Sequence, residues 1–142
     1  LSDEKTFLIF AGEAKRNLDA LDRGQQDALI DRLSTVVESA APPSAFVYER
    51  IGNLDIVTVG EQGRLYTRIV EDIPRGNATY HLVYLFFIDA THDYPRTALA
   101  TYTQAAAAKA TTATSLDTVA SVDAYLDRMN ALDGEDLSDL AT

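Results

Sequence analysis

Ala78-Thr79-Tyr80-His81-Leu82-Val83-Tyr84-Leu85-Phe86-Phe87-Ile88 is the most apolar run in the chain, and it decides the fold. Residues 82 to 88 are apolar without alternation and rich in aromatic side chains, which predicts a strand covered on both faces and hence a central one. Working back from it, Pro74-Arg75-Gly76-Asn77 reads as a polar loop and Arg64 to Val70 as a strand. Gly60-Glu61-Gln62-Gly63 marks a reversal into Leu54 to Val59. Gly52-Asn53 comes next, then the strand Phe46 to Ile51; this dipeptide either turns the chain or bulges one long strand.

The flanks are helical. Thr6 to Phe10 is a short apolar run read as a first strand, and Ala11 to Asp22 follows as a helix with Gly24 placed to end it. Gln25 to Ser39 carries Leu29, Ile30, Leu33, Val36 and Val37 on one face until Pro42-Pro43 stops it. After the central strand, Arg96 to Ala110 is alanine-rich and Thr111 to Ser115 reads as a hydroxyl-rich break. Leu116 to Leu132 aligns Val119, Val122, Leu126, Met129 and Leu132, and Glu135 to Thr142 reads as a frayed acidic tail. The predicted fold is α+β: an antiparallel sheet with an N-terminal helical hairpin and C-terminal helices packed on it.

Composition narrows the function classes. At 142 residues and 46% hydrophobic content the chain supports one domain with a real core. It has no cysteine, which excludes disulfides, thiolate catalysis and Cys-based metal sites. Two histidines eleven residues apart, with no HExxH or calcium-loop spacing, predict no metal, and the absence of GxGxxG, Walker and GxSxG motifs predicts no cofactor. No run reaches the roughly 18 apolar residues of a spanning helix, and no basic segment followed by an apolar one opens the chain. A cytoplasmic protein without a membrane partner is expected.

Asp and Glu number 22 against 12 basic residues, for a net charge of −10, and nine of the basic residues are Arg. Few lysines, abundant Asp and no Trp match the cytosol of a salt-accumulating halophile. At about 1 M salt the Debye length is only about 3 Å, which screens this repulsion and also any long-range attraction to RNA. Nucleic-acid contact in such a chain has to be local.

Ala14-Lys15-Arg16-Asn17-Leu18-Asp19-Ala20-Leu21 before a second helix resembles the opening of RelE/ParE/HigB-type toxin domains. Arg64-Leu65-Tyr66-Thr67-Arg68-Ile69-Val70 and Tyr80 to Phe87 resemble that superfamily's Arg-bearing and central strands. Thr91-His92-Asp93-Tyr94-Pro95-Arg96 resembles the polar stretch of HigB-like members. The resemblance covers residues 5 to 110. It implies a RelE-like core over 1–110, with 111–142 as a C-terminal helical extension of a single domain. It also implies either cleavage of ribosome-bound mRNA or poisoning of gyrase, with silencing by an antitoxin protein.

Ribosome-dependent cleavage, as the resemblance implies it, needs a positioned group to activate a 2′-hydroxyl and cations to neutralise the charge developing at the phosphate. Arg64, Tyr66 and Arg68 share one strand face and are the RNA-binding candidates. His92, Tyr94 and Arg96 are the catalytic candidates, with His81 a further imidazole. Asp89 and Asp93 stand where HigB-like members carry basic residues, and acid there repels phosphate. Tyr66 and Tyr84 are candidates to stack a base, and structural alternatives exist throughout: surface arginines, half-buried Tyr66 and Tyr84 with hydroxyls at the rim, and a hydrogen-bonded core His81. The competing functional expectation is a non-catalytic module that binds a protein partner or forms a homodimer, for which the Leu116 to Leu132 stripe offers a face.

Overall fold

The computed structural model describes residues 5–90 and 100–140. Its elements run β1 (Lys5–Phe10), α1 (Ala14–Ala20), α2 (Arg23–Glu38), β2 (Val47–Ile51), β3 (Leu54–Val59), β4 (Gly63–Arg75), β5 (Ala78–Asp89), α3 (Ala100–Thr114), α4 (Val119–Arg128) and α5 (Gly134–Leu140). The five strands form one sheet in the order β1-β5-β4-β3-β2. Strands β2 to β5 make an antiparallel meander, and β1 joins β5 in parallel. The fold is α+β.

β5 lies inside the sheet, and its consecutive residues Tyr84 and Leu85 are both fully buried. Adjacent strand residues point to opposite faces, so this shows a cover on each side. Tyr80, Leu82, Tyr84 and Phe86 meet Tyr102 and Ala106 of α3 and Val122, Tyr125 and Leu126 of α4. Val83, Leu85 and Ile88 meet Leu18 of α1, Leu29, Leu33, Val36 and Val37 of α2, and Leu137 of α5. Helices thus cover both faces, the hairpin with α5 on one and α3 with α4 on the other.

Local chemistry corrects several sequence boundaries. Gly24 does not end the first helix. Asp22 caps α2 instead, its carboxylate accepting from the Gln25 amide at 2.8 Å while the Gln25 side chain accepts from the Asp22 amide at 3.3 Å. Gly24 therefore sits inside α2, and α1 stops at Ala20. Gly52-Asn53 is a turn, with Gly52 at φ 61° and Ile51 paired with Leu54.

The polar stretch expected as a loop at Pro74-Arg75 is strand. β4 runs on to Arg75 through a bulge, Val70 facing Leu82 and Ile73 facing Tyr80, with Asp72 at φ 56°. Thr111 to Ser115 is not a break either. Thr111, Thr112 and Thr114 donate to carbonyls four residues earlier, at 3.0, 3.1 and 2.9 Å, so the helix continues through Thr114. Residues 96 to 99 of the expected helix lie outside the described residues.

The C-terminal third is more ordered than its composition indicates. The expected helix Leu116 to Leu132 is confined to Val119–Arg128, capped by Thr118, and Leu132 leaves it to pair with β1. The expected frayed tail is α5. Asp133 and Asp136 cap its start reciprocally, at 2.9 and 3.1 Å, and Leu137 is fully buried against the α2 side of the core. Gly134 abuts Glu38 so closely that a Cβ there would collide with it.

Candidate nucleic-acid interface

β4 carries Arg64, Tyr66 and Arg68 at alternate positions. The irregularity after Tyr66 puts its extra residue on β5, since Tyr66 faces Phe87 and Thr67 faces Leu85. The period of β4 is therefore intact through the candidate residues, which share the face covered by α3.

The three residues meet different fates on that face. Tyr66 is 4% exposed, and its ring packs 6.0 Å from that of Phe87. It is a core side chain with no open ring face for a base. Arg64 is also largely enclosed. Its Nη1 donates to the carbonyls of Glu61 at 3.2 Å and Gly63 at 3.0 Å, and its guanidinium carbon lies 5.2 Å from the ring centre of Tyr48. Arg68 donates from Nη1 to the Asn53 carbonyl at 3.4 Å, and Asn53 in turn donates to the Thr103 carbonyl at 2.8 Å, tying the β2–β3 turn to α3. The Nε atoms of both arginines are buried without a hydrogen-bond partner among the described residues. Among those residues neither arginine forms an ion pair.

Tyr48, which sequence reading did not single out, is the most exposed large hydrophobic residue described, at 64%. It is the extra residue of β2, between Val47 facing Val57 and Glu49 facing Ile56. That bulge turns its ring onto the face of Arg64. A single tyrosine in a short strand carries no sequence signal for this; only the bulge and the neighbouring strands create it.

The remaining candidates divide cleanly. His92, Tyr94 and Arg96 lie outside the described residues. His81 is 5% exposed, and its Nδ1 accepts the Asp72 amide at 3.1 Å, stabilising the β4 bulge. Asp89 is buried directly opposite Arg64 in register. The Tyr84 hydroxyl is not at a rim: it is fully buried and shares a 2.7 Å hydrogen bond with Tyr125 of α4. Burial raises its pKa, with the Tyr125 hydrogen bond adding to the shift.

Two hollows open beside the sheet. One of 190 Å³ lies between the start of α2 and the β3–β4 turn, lined by Leu21, Leu29, Leu65, Ile88 and the strand positions of Arg64 and Asp89. One of 210 Å³ lies at the other end, lined by Lys5, Phe7, Arg75 and Tyr80. Among the described residues no group of three or more His, Asp or Glu side chains is placed to hold a metal ion, and no helix is long and apolar enough to cross a membrane. No protein-family model, curated protein or solved structure matches the chain.

Proposed function

We propose that this chain is a RelE/HigB-like toxin-type domain of the cytoplasm that acts on ribosome-bound mRNA and is held by an antitoxin. The observation that carries the reading is the pair Arg64 and Arg68. They stand on one sheet face, four residues or about 13 Å apart along the strand, without ion-pair partners among the described residues. In a chain of net charge −10, arginines that form no ion pair among the described residues are the groups that suit a phosphate chain. His92 or Tyr94 would move the proton of the 2′-hydroxyl, and Arg96 would add charge at the phosphate.

Regulated expression in a salt-adapted host tests this, following growth and sequencing mRNA 5′ ends soon after induction. Rapid arrest with new ends inside translated frames supports cleavage. Normal growth with an unchanged end profile removes it.

A second reading has its own observation. Tyr66 is enclosed, and the described donors of Arg64 and Arg68 go to the protein's own carbonyls, as in a non-catalytic interaction module. That reading expects a defined homodimer or a co-purifying protein on size-exclusion chromatography in molar salt. A partner-free monomer rejects it.

A further inference from the structure

We infer that Tyr48 and Arg64 form a stacking site for one unpaired base of single-stranded RNA. The inference rests on the RNA-acting reading above for its ligand, but not on cleavage.

The exposed tyrosine comes first. Tyr48 leaves 64% of its surface open, whereas Tyr66, Tyr80, Tyr84, Tyr102 and Tyr125 supply much of the core. Its position is imposed by the backbone, because the β2 bulge makes it the unpaired residue between Val47 and Glu49. A ring held this way loses little freedom on binding, and aromatic rings accept any base through their π-face.

The second component is the cation beside it. The Arg64 guanidinium, 5.2 Å from the ring centre, is within cation–π range. It is fixed by two backbone carbonyls and carries a buried Nε without a hydrogen-bond partner among the described residues. The largely enclosed guanidinium lies over the ring and holds it, and the exposed remainder of Tyr48 is the planar surface for a base.

The third component is local charge. Arg64 and Arg68 donate to backbone carbonyls and form no ion pair among the described residues. Arg50 is engaged by buried Asp55 at 2.8 Å, and Arg32 donates to the Thr58 carbonyl at 2.9 Å. These arginines stand in a chain of net charge −10. A chain of that charge has too little excess positive charge to hold RNA by phosphates alone. Stacking has to supply the affinity, and the salt dependence has to be shallow.

The test is fluorescence anisotropy with a labelled RNA of mixed sequence and no secondary structure, and with an abasic strand of the same length. Wild type is compared with Tyr48→Ala and Tyr48→Phe, each checked for folding by thermal unfolding. Tyr48→Ala is expected to weaken RNA binding about tenfold, Tyr48→Phe to stay within about twofold, and the abasic strand to bind about as poorly as RNA binds Tyr48→Ala. Undiminished binding by Tyr48→Ala overturns the site and leaves the RNA-acting reading standing. Equal loss in both variants assigns the contact to the hydroxyl and overturns stacking, as does equal affinity for the abasic strand. Failure of wild type to bind RNA at all removes the reading and the site together. If Tyr48→Ala instead releases a co-purified protein, the surface is a protein contact and the RNA site is overturned.

Discussion

Leu132 exchanges both of its backbone hydrogen bonds with Leu8, each at 2.8 Å, closing the outer edge of β1. β1 is a sheet-edge strand, and Leu8 itself is fully buried. An open edge beside such a residue would offer unpaired amides and carbonyls to other chains. The segment between α4 and α5 covers that edge, so the last third of the chain is bonded to the first strand.

Leu132→Pro should therefore act at a distance in sequence. It removes the donor to the Leu8 carbonyl and should destabilise the protein by about 1–3 kcal/mol. Chemical denaturation measures the loss. The proline ring takes the place of the N–H that faced the Leu8 carbonyl and pushes the segment off the edge, so the Leu8 amide, which donates to the residue-132 carbonyl, should exchange faster. Leu132→Ala keeps both backbone bonds and should leave that amide protected; loss of protection in this variant would show that the side chain, not the backbone pair, secures the edge.

Asp55 acts as a side-chain substitute for a missing strand. β3 pairs with β4 only as far as Asp55 facing Thr67, and beyond this the Ile69 amide donates to the Asp55 carboxylate at 2.8 Å. Asp55 is fully buried, with Arg50 as its counter-ion. Asp55→Ala should cost about 2–3 kcal/mol through the unpaired amide. Asp55→Asn retains an acceptor oxygen and should cost clearly less. Urea unfolding of the two variants decides it, and equal losses would place the whole effect in the Arg50 ion pair.

Burial pushes the Tyr80 phenol from 10.0 up to about 12, with neighbouring Tyr125 adding to the rise and Arg75 opposing it. The folded value exceeds the unfolded one, so this contribution is fully present below about pH 10 and is lost as pH rises toward about 12. A rise of that size corresponds to about 3 kcal/mol. Tyr84 is raised in the same direction. Alkaline titration followed by phenolate absorbance should show both groups ionising only as the protein unfolds. Tyr80→Phe should move the alkaline midpoint upward at little cost near neutrality, because the Tyr80 hydroxyl has no hydrogen-bond partner among the described residues. Tyr84→Phe should instead cost about 1–3 kcal/mol at neutral pH by orphaning the Tyr125 hydroxyl.

Much of the architecture was legible because it depends on short-range pattern. The unbroken apolar run 82 to 88 indicated a strand buried on both faces, and Tyr84 beside Leu85 shows it. The stripe Leu29, Ile30, Leu33, Val36 and Val37 is buried in full. The misplaced boundaries lie where side chains bond to backbone: the Asp22 cap that draws Gly24 into a helix, the threonines that carry α3 onward, and the Asp133–Asp136 pair that begins α5. Intrinsic propensity marks those residues as helix breakers or solvated positions, and only their bonding partners make the local structure helical.

The candidate site was legible only in part, for a related reason. Alternation alone set Arg64, Tyr66 and Arg68 on one face. Which of them meets solvent depends on what covers that face, and α3 comes from residues far along the chain. The tertiary structure enclosed Tyr66 beside Phe87 and exposed Tyr48 beside Arg64. Local periodicity by itself determined most of the elements, their apolar faces and the strand buried on both sides. Burial, partner choice and the identity of the exposed aromatic were decided only by tertiary packing, because each is a property of two segments meeting and of neither segment alone.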